Sequence, residues 1–251
     1  MLARMTVSGT TKRTTLVVLR AALTRAVKAG AVNRNVALLV DLPKRSTIEL
    51  PPYSVEQMAA LLNGTADTTI GILLAVAATT GLRQGEQLGL GWTDVDLDAG
   101  TLTVRRTLDP ATHELAPTKT EWSRRTIALP SRAQAALRER RRRQLEARLA
   151  AGRSWTDAGL VFATPLGTPM DASAIVHAYH AATDRLGLPR RPWHGLRHFA
   201  ATAMLEAGAD LYTVSRMLGH ASITTTANVY GHITPATLRR SADLMDAALG
   251  G

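Results

Sequence analysis

The chain has 251 residues, 45% of them hydrophobic, and carries 30 Lys and Arg against 20 Asp and Glu, for a net charge of +10. This length and hydrophobic content predict one sizeable core with a smaller second piece, and they exclude a disordered chain. The positive charge favours a polyanionic partner, nucleic acid above all, although an arginine-rich composition with few lysines also follows from a GC-rich genome.

The sequence contains no cysteine, which excludes disulfide bonds, thiolate zinc sites and cysteine nucleophiles. Its N-terminus lacks the basic and then apolar pattern of a signal peptide. The longest apolar run, residues 70–78, is too short to span a bilayer. We therefore expect a soluble, cytoplasmic protein with no membrane partner.

The first predicted element is a helix from Thr11 to Ala29. Its apolar residues recur at helical spacing, and the pattern stops at Gly30. The polar face of this helix carries Lys12, Arg13 and Arg20. A short apolar stretch follows at residues 36–40, and two such helices enclose little core.

Prolines mark both ends of the segment 43–52, which has few apolar residues and is typical of a linker. We therefore expect a partial helical domain at residues 1–45, a linker at 46–52 and the main domain at 53–251.

The main domain begins with a predicted capping box, in which Ser54 and Gln57 open a helix that runs to about Asn63. Residues 68–80 then predict a buried helix that ends at Gly81. From residue 92 to 129 the apolar residues alternate between turn signals at 98–100 and 109–110. This pattern is typical of a small antiparallel sheet.

Ser131 with Gln134 is predicted to cap the next helix, whose arginine run at 138–143 is interpreted as a solvated face without a site. A brief strand is expected at 160–162. Further helices are predicted at 171–187, 194–207, 210–218 and from 234 onward. Together these elements predict a mainly α fold with a small antiparallel β-sheet, of the α+β class.

Three short blocks, at 80–88, 193–198 and 217–230, carry residues suited to chemistry on a phosphate. In the first two, an arginine lies three positions from a second polar residue, so both share one helix face. The residues concerned are Arg83 with Glu86, His194 with Arg197, and His220 with Tyr230 ten positions later.

Each block has an ordinary structural explanation when it is taken alone. An isolated tyrosine such as Tyr230 is more often a packed helix residue than a nucleophile. A structural ion pair explains Glu86 about as well as support of a catalytic group does. His194 and His198 have the spacing of a metal-binding pair, but Gly195 stands where the glutamate of that motif belongs.

In this order the three blocks resemble those of the tyrosine recombinases, the phage-integrase family of site-specific DNA recombinases. A fourth segment, 117–125, reads PTKTEWSRR and resembles the β-hairpin whose lysine enters the active site in that family. The resemblance covers nearly all of the chain from Pro52 onward and implies the tyrosine-recombinase catalytic fold for 53–251. Gly195 departs from the acidic residue that the family most often has there.

The helical residues at the N-terminus resemble the last two helices of the family's core DNA-binding domain. This partial match leaves two readings open, a chain that begins downstream of the true start and a truncated remnant. The resemblance also offers DNA contacts at Lys12, Arg13, Arg20, Arg124 and Arg125. The segment 234–249 is predicted to form an amphipathic helix that packs in cis or docks on a neighbouring protomer.

By resemblance, the catalytic residues are Arg83, Lys119, His194, Arg197, His220 and Tyr230, with Glu86 in support. The two arginines would hold the non-bridging oxygens of the scissile phosphate, because a guanidinium offers planar, permanently charged donors. Tyr230 would attack phosphorus while His194 accepts its proton, Lys119 would protonate the departing 5′ oxygen, and His220 would donate to the phosphate. No metal and no other cofactor is implied.

The resulting hypothesis is a DNA strand transferase that recombines sites in double-stranded DNA through a 3′-phosphotyrosine intermediate, as in the integration of mobile elements. It would act as a homo-tetramer on paired sites, with monomers off DNA. Two alternatives remain open: a relaxing topoisomerase of the type IB kind, and a catalytically idle DNA-binding remnant.

Overall fold

A computed structural model describes residues 5–43, 50–118, 121–220 and 222–230, together with Asp243 and Asp246. The side chains at 121, 225 and 228–230 lie outside this description. The chain divides into two compact units, Met1–Pro51 and Pro52–Gly251.

The first unit contains helix α1, Gly9–Lys28, and a 3-10 turn at Val36–Leu39. The predicted first helix is confirmed, and Ser8 caps it by accepting a hydrogen bond from the backbone N–H of Thr11. Arg20 donates to the carbonyls of Ala37, at 3.0 Å, and Val40, at 2.5 Å. This side chain therefore holds the turn against the helix.

The second unit is mostly helical. Its helices are α2 (Val55–Gly64), α3 (Thr69–Thr80), α4 (Gln84–Leu88), α5 (Ser131–Ala151), α6 (Ala172–Arg185), α7 (His194–Glu206), α8 (Leu211–Leu218) and α9 (Ile223–Tyr230). Helix α3 is apolar on all sides and packs against α2, α5, α6 and α7, as expected of a helix at the centre of a core.

The helix ends agree with two of the predicted local signals and differ from a third. Ser54 and Gln57 form the predicted capping box at the start of α2, and Gly81 ends α3 in the left-handed conformation. The predicted cap at Ser131 is wrong, because Pro130 is the N-cap of α5 and makes no side-chain hydrogen bond. The side chain of Gln134 donates instead to the carbonyl of Leu129, at 3.0 Å.

Within the described ranges, five short strands form two antiparallel sheets. They are β1 (Val95–Asp96), β2 (Thr101–Val104), β3 (Arg106–Leu108), β4 (Leu115–Pro117) and β5 (Arg125–Ala128). The order is β1-β2-β5 in one sheet and β3-β4 in the other. Leu102, Val104 and Ile127 point into the core, which confirms the predicted alternation and the α+β class.

The two ends of the segment 117–125, which resembles the family's β-hairpin, do not pair with each other. Within the described residues, β4 pairs with β3 and β5 pairs with β2, so Arg106 lies opposite Pro117 while Val104 lies opposite Arg125. The chain reverses earlier, where Asp109 accepts from the backbone N–H groups of residues 111 and 112. Between β4 and β5, the described residues Glu121–Ser123 form a 3-10 turn.

Two further predictions differ from the structure around α5. The arginine run is not wholly solvated, because Arg140 is buried and donates to the carbonyls of Val161, at 2.9 Å, and Ala163, at 2.6 Å. The strand predicted at 160–162 is wrong, since the neighbouring pairings are isolated bridges at Leu160 and Ala163. The buried guanidinium donates to backbone carbonyls that would otherwise accept hydrogen bonds from a neighbouring strand.

Across the described ranges, no helix combines the length and apolar character needed to cross a bilayer. The helix predicted from residue 234 falls outside these ranges except for Asp243 and Asp246, which are helical.

Candidate active site

The first part of the site lies at the start of α4. Arg83 is the N-cap residue, and its backbone N–H donates to Glu86 Oε2 at 3.0 Å. Its guanidinium donates to Glu86 Oε1 at 2.6 Å and to the carbonyl of Gly219 at 3.3 Å. The side chain of Arg83 remains 39% exposed, so it is accessible to a ligand while Glu86 holds its backbone N–H and one guanidinium nitrogen.

Glu86 is 4% exposed and lies between two guanidinium groups. Arg125, from β5, donates through Nη2 to Oε2 at 2.9 Å and through Nη1 to Oε1 at 3.3 Å. Burial by itself would raise the pKa of Glu86, but the hydrogen bond and charge of Arg125, with the charge of Arg83, outweigh it and lower the pKa. Glu86 is therefore an ionised carboxylate.

Arg125 was expected to contact DNA, and its guanidinium instead faces the interior with its side chain 6% exposed. Its position was readable from the alternation in β5. Arg125 shares the inward face with Ile127, whereas the neighbouring Arg124 is exposed. A period-two reading of this strand would have separated the two arginines.

Arg197 brings the second block into the site from α7. It is 2% exposed and donates through Nη1 to the carbonyl of Gly81, at 2.8 Å. Gly81 has φ +65°, and a Cβ there would lie 2.5 Å from Leu218 Cδ2. The close contact of α3, α7 and α8 at this point thus depends on a residue without a side chain.

His194, the first residue of α7, packs its ring against His198 with 4.7 Å between centroids in a T-shaped arrangement. Partial burial of the ring, and then the charges of His198, Arg197 and Arg83, lower the pKa of His194 to about 4. Burial and Arg197 also lower the pKa of His198. His194 is therefore neutral at pH 7 and able to accept a proton.

His220 follows the left-handed Gly219 that ends α8. Its Nδ1 lies 2.7 Å from Oγ1 of the buried Thr226. Burial, followed by the charges of Arg197, Arg83, His194 and Arg125, lowers the pKa of His220 to about 4. Thr226 is not among the site residues predicted from the sequence, because its position six residues after His220 belongs to no recognisable pattern.

The two remaining predicted catalytic groups are Tyr230 and Lys119. Tyr230 is the last residue of α9, a helix that packs on α8, and its side chain lies outside the described part of the chain. Lys119 lies outside the described residues altogether.

Apart from Lys119, Tyr230 and the two arginines at 124 and 125, the predicted site residues fall into two groups. Arg83, Glu86, His194, Arg197 and His220 lie together in the second unit, joined by the contacts and charge effects above. Lys12, Arg13 and Arg20 belong to the first unit, where Arg20 is engaged with two carbonyls. Among the described residues, no three His, Asp or Glu side chains lie close enough to hold a metal ion together.

Residues 50–237 match the model of the phage integrase family. The chain belongs to the phage integrase family. A tyrosine recombinase XerC-like protein of Caldanaerobacter subterraneus subsp. tengcongensis is 38% identical over 74% of this chain and 51% of its own length. An integrase of Streptomyces ambofaciens is 32% identical over 91% of this chain and 61% of its own. The chain thus spans about half to three fifths of these relatives.

Solved structures of the family share the fold. The Tn1549 transposon integrase, in complex with a circular intermediate DNA, is 20% identical with a TM-score of 0.76, covering 95% of this chain and 80% of its own. A lambda integrase tetramer bound to a Holliday junction is 16% identical with a TM-score of 0.60, covering 88% of this chain and 59% of its own. The tyrosine-recombinase catalytic fold is therefore confirmed for this member of the family.

Proposed function

We propose that this chain is a site-specific DNA recombinase that cleaves and rejoins strands through a 3′-phosphotyrosine bond at Tyr230. The observation that carries the proposal is the meeting of Arg83, Arg197, His194 and His220, which come from three separate segments. Two permanent cations beside two neutral imidazoles suit a phosphodiester better than a neutral or cationic substrate.

The arginines would act on the charge of the phosphate. As the nucleophile approaches, negative charge grows on the non-bridging oxygens, and preorganised guanidinium groups stabilise it most in a site that excludes water. Arg197 is held against the carbonyl of Gly81, and Arg83 is held by Glu86. Both are thus oriented before DNA arrives, so little reorganisation is needed during the reaction.

The cleavage step would exchange one phosphorus–oxygen bond for another. Tyr230 Oη forms a bond to phosphorus while the bond to the 5′ oxygen breaks, and the electrons of the broken bond pass to that oxygen. The phenolic proton moves to neutral His194, whose pKa of about 4 in the free protein leaves it unprotonated at pH 7. Lys119 supplies the proton that the 5′ oxygen takes up.

Rejoining reverses the same steps with a free 5′ hydroxyl as the attacking group. The tyrosine ester keeps the reactivity of the phosphodiester that it replaces, so no nucleotide cofactor is required. His220 would donate a hydrogen bond from Nε2 to the phosphate in both directions, and Glu86 would keep Arg83 in place.

Double-stranded DNA with two recombination sites is the proposed substrate, and a homo-tetramer on the paired sites is the proposed assembly. The lambda integrase tetramer on a Holliday junction supports this assembly by analogy of fold. Relatives named as recombinases and integrases support strand exchange between sites over the relaxation of a single duplex. Lys12, Arg13 and Arg124 are proposed to contact DNA phosphates outside the active site.

Trapping of the covalent intermediate tests the proposal. The protein would be incubated with labelled, nicked duplex fragments from the region around its own gene and then denatured in SDS. A nick close to the cleavage position lets the short 5′ end dissociate, so label accumulates on the protein. The proposal predicts a labelled protein band with the wild type and none with Tyr230→Phe.

The matched control is Tyr212→Phe, which alters an exposed tyrosine on α8 outside the site. This variant should form the adduct at the wild-type rate. A labelled band that persists in Tyr230→Phe contradicts the proposed chemistry. So does wild-type protein that binds DNA but forms no labelled band with any fragment, a result that favours a DNA-binding protein without strand cleavage.

A further inference from the structure

We propose that Arg125 is a positioning residue for strand cleavage, which orients Arg83 through Glu86 and orients the segment leading into His220 through the backbone of α8. The inference rests on the proposed function, because it assigns a task within that reaction. Arg125 itself would touch neither the phosphate nor the tyrosine.

The contacts of Arg125 use its guanidinium in three directions. Nη1 and Nη2 reach the two carboxylate oxygens of Glu86 at 3.3 and 2.9 Å. Nε donates to the carbonyl of Met217 at 2.6 Å, and Nη1 also donates to the carbonyl of Ser123 at 3.0 Å. One buried side chain thus joins β5, the start of α4 and the end of α8.

Charge explains why a second arginine is needed at Glu86. A buried carboxylate paired with Arg83 alone would cancel the charge that Arg83 is meant to present to DNA. With Arg125 added, two cations face one anion, and the group keeps one net positive charge. Glu86 can then hold Arg83, through the 2.6 Å contact with Nη1 and the 3.0 Å contact with the backbone N–H, without cancelling the net charge of the three side chains.

The same guanidinium lies against the backbone that precedes His220. A Cβ on Gly219 would approach Arg125 Nη1 to 2.8 Å, so this contact requires glycine, which also supplies the φ of +69° that ends α8. Arg83 donates to the carbonyl of the same Gly219. Loss of Arg125 would therefore loosen Arg83 and the turn before His220 together.

Lysine would not replace this arginine well. The acceptors around Arg125 are two carboxylate oxygens and two carbonyls, and a planar fork with fixed donors reaches them together. An ammonium is a single point of charge that would keep the attraction to Glu86 and lose the contact with α8. Arg125→Lys should therefore behave between the wild type and Arg125→Gln.

The test compares two substrates under saturating, nicked DNA. One carries the ordinary scissile phosphate, and the other carries a methylphosphonate, in which a methyl group replaces one charged oxygen. Arg125→Gln should slow adduct formation on the phosphate by roughly 10²-fold, the size of effect that misplacement by about 1 Å produces. On the neutral methylphosphonate the defect should shrink to about threefold, because less charge depends on Arg83.

Arg140→Gln is the matched control for loss of a buried arginine. Arg140 is buried on α5 and donates to the carbonyls of Val161 and Ala163, with no contact to Glu86. Its substitution should lower stability and change both substrates by the same factor. The inference is overturned if Arg125→Gln shows the same defect on both substrates, as a purely structural role requires, or if it cleaves like the wild type.

A second measurement separates this inference from the proposed function. Wild-type protein that forms no adduct would contradict the proposed function. The Arg125–Glu86 contact would then be tested by the urea midpoints of unfolding of Arg125→Gln, Glu86→Gln and the double variant. We expect the double variant to unfold at a urea concentration near that of the less stable single variant, since each single change already breaks the buried Arg125–Glu86 ion pair and leaves the other partner's charge less well compensated. Additive shifts in midpoint would overturn the inference without any reference to catalysis.

Discussion

Glu86 illustrates at one residue how burial and neighbouring charge compete. Burial opposes its ionisation, and Arg125 and Arg83 together reverse that effect. The histidines show the complementary case, since burial and nearby cations both disfavour a positive imidazole. The site therefore holds its anion charged and its histidines neutral at the same pH.

The neutral histidines predict a pH dependence of stability. In the unfolded chain a histidine titrates near 6.5, whereas the pKa of His194 and that of His220 are about 4 in the folded protein. Between these values the unfolded chain binds more protons, so stability should fall as pH is lowered from about 6.5 to about 4 and then cease to fall from this cause.

Urea unfolding of the free protein at pH 7 and pH 5 measures this dependence. His220→Gln removes one of the histidines with a lowered pKa and should lose less stability between these pH values than the wild type does. Equal losses in the two proteins would contradict the depressed pKa of His220.

Thr226 is predicted to fix the tautomer of His220. For His220 to donate from Nε2, its Nδ1 must be the unprotonated ring nitrogen, which accepts a hydrogen bond from the Thr226 hydroxyl, 2.7 Å away. Thr226→Val should therefore slow adduct formation by about tenfold with little change in DNA affinity, within the range for loss of one positioning hydrogen bond. Thr226→Ser keeps the hydroxyl and should restore the rate.

The exposed Thr224 offers the control, and Thr224→Val should cleave like the wild type. A Thr226→Val protein with an unchanged rate would mean that the tautomer of His220 does not depend on this contact.

Sequence reasoning identified the residues whose role follows from chemical type and order. Arg83, Arg197, His194 and His220 were grouped because four blocks in sequence resembled one family. The sequence does not predict the positions of Arg125 and Thr226 in the site, because Arg125 acts through contacts with residues distant in sequence and Thr226 through one side-chain hydrogen bond. The motif pattern does not encode such contacts.

At the scale of elements, the site depends on how helices end. Helix α3 ends at Gly81 and α8 ends at Gly219, both with positive φ, and the carbonyls of these glycines accept from Arg197 and Arg83. The left-handed residue turns the chain sharply and exposes its carbonyl to a side chain. Two helix ends thus hold the guanidinium groups of the two arginines.

Gly81→Ala is predicted to destabilise the second unit by about 2–4 kcal/mol, from the strained φ together with a Cβ placed 2.5 Å from Leu218 Cδ2. Gly187→Ala is the control, because Gly187 has φ +66° and nothing within 4 Å. That change should cost only about 1 kcal/mol. Thermal or urea unfolding gives both values, and equal losses would show that the contact with Leu218 adds nothing.

Elements with strong local signals were predictable and those fixed by tertiary contacts were not. The capping box at Ser54 and the glycine after α3 are encoded within a few residues. The apolar run at 160–162 resembles a strand. Arg140 from α5 nevertheless donates to the carbonyl of Val161, within the run, and to that of Ala163, just after it. The pairing around 117–125 depends on where the longer ladder reverses, at Asp109.

At the scale of the whole molecule, the net charge of +10 predicts DNA binding that weakens steeply with salt. Each phosphate contact that is removed should lower the slope of log affinity against log salt concentration by about one. Lys12→Gln, Arg13→Gln and Arg124→Gln should each show this change in a titration of labelled duplex DNA.

Arg148→Gln is the control for charge alone, because Arg148 is exposed on α5 and pairs with Asp157 at 3.2 Å. It should leave the salt slope unchanged. If all four variants shift the slope equally, net charge rather than placed contacts governs binding, and the three assignments fail.

The most direct test of the phosphotyrosine mechanism is the chemical identity of the linkage. The SDS-stable adduct would be digested with nuclease and trypsin, and its peptides would be sequenced by mass spectrometry. Residues 217–239 contain no internal lysine or arginine and only one tyrosine, so a single tryptic peptide reports on the site. A nucleotide attached to Tyr230 is the predicted result, and a nucleotide on any other residue would contradict the mechanism.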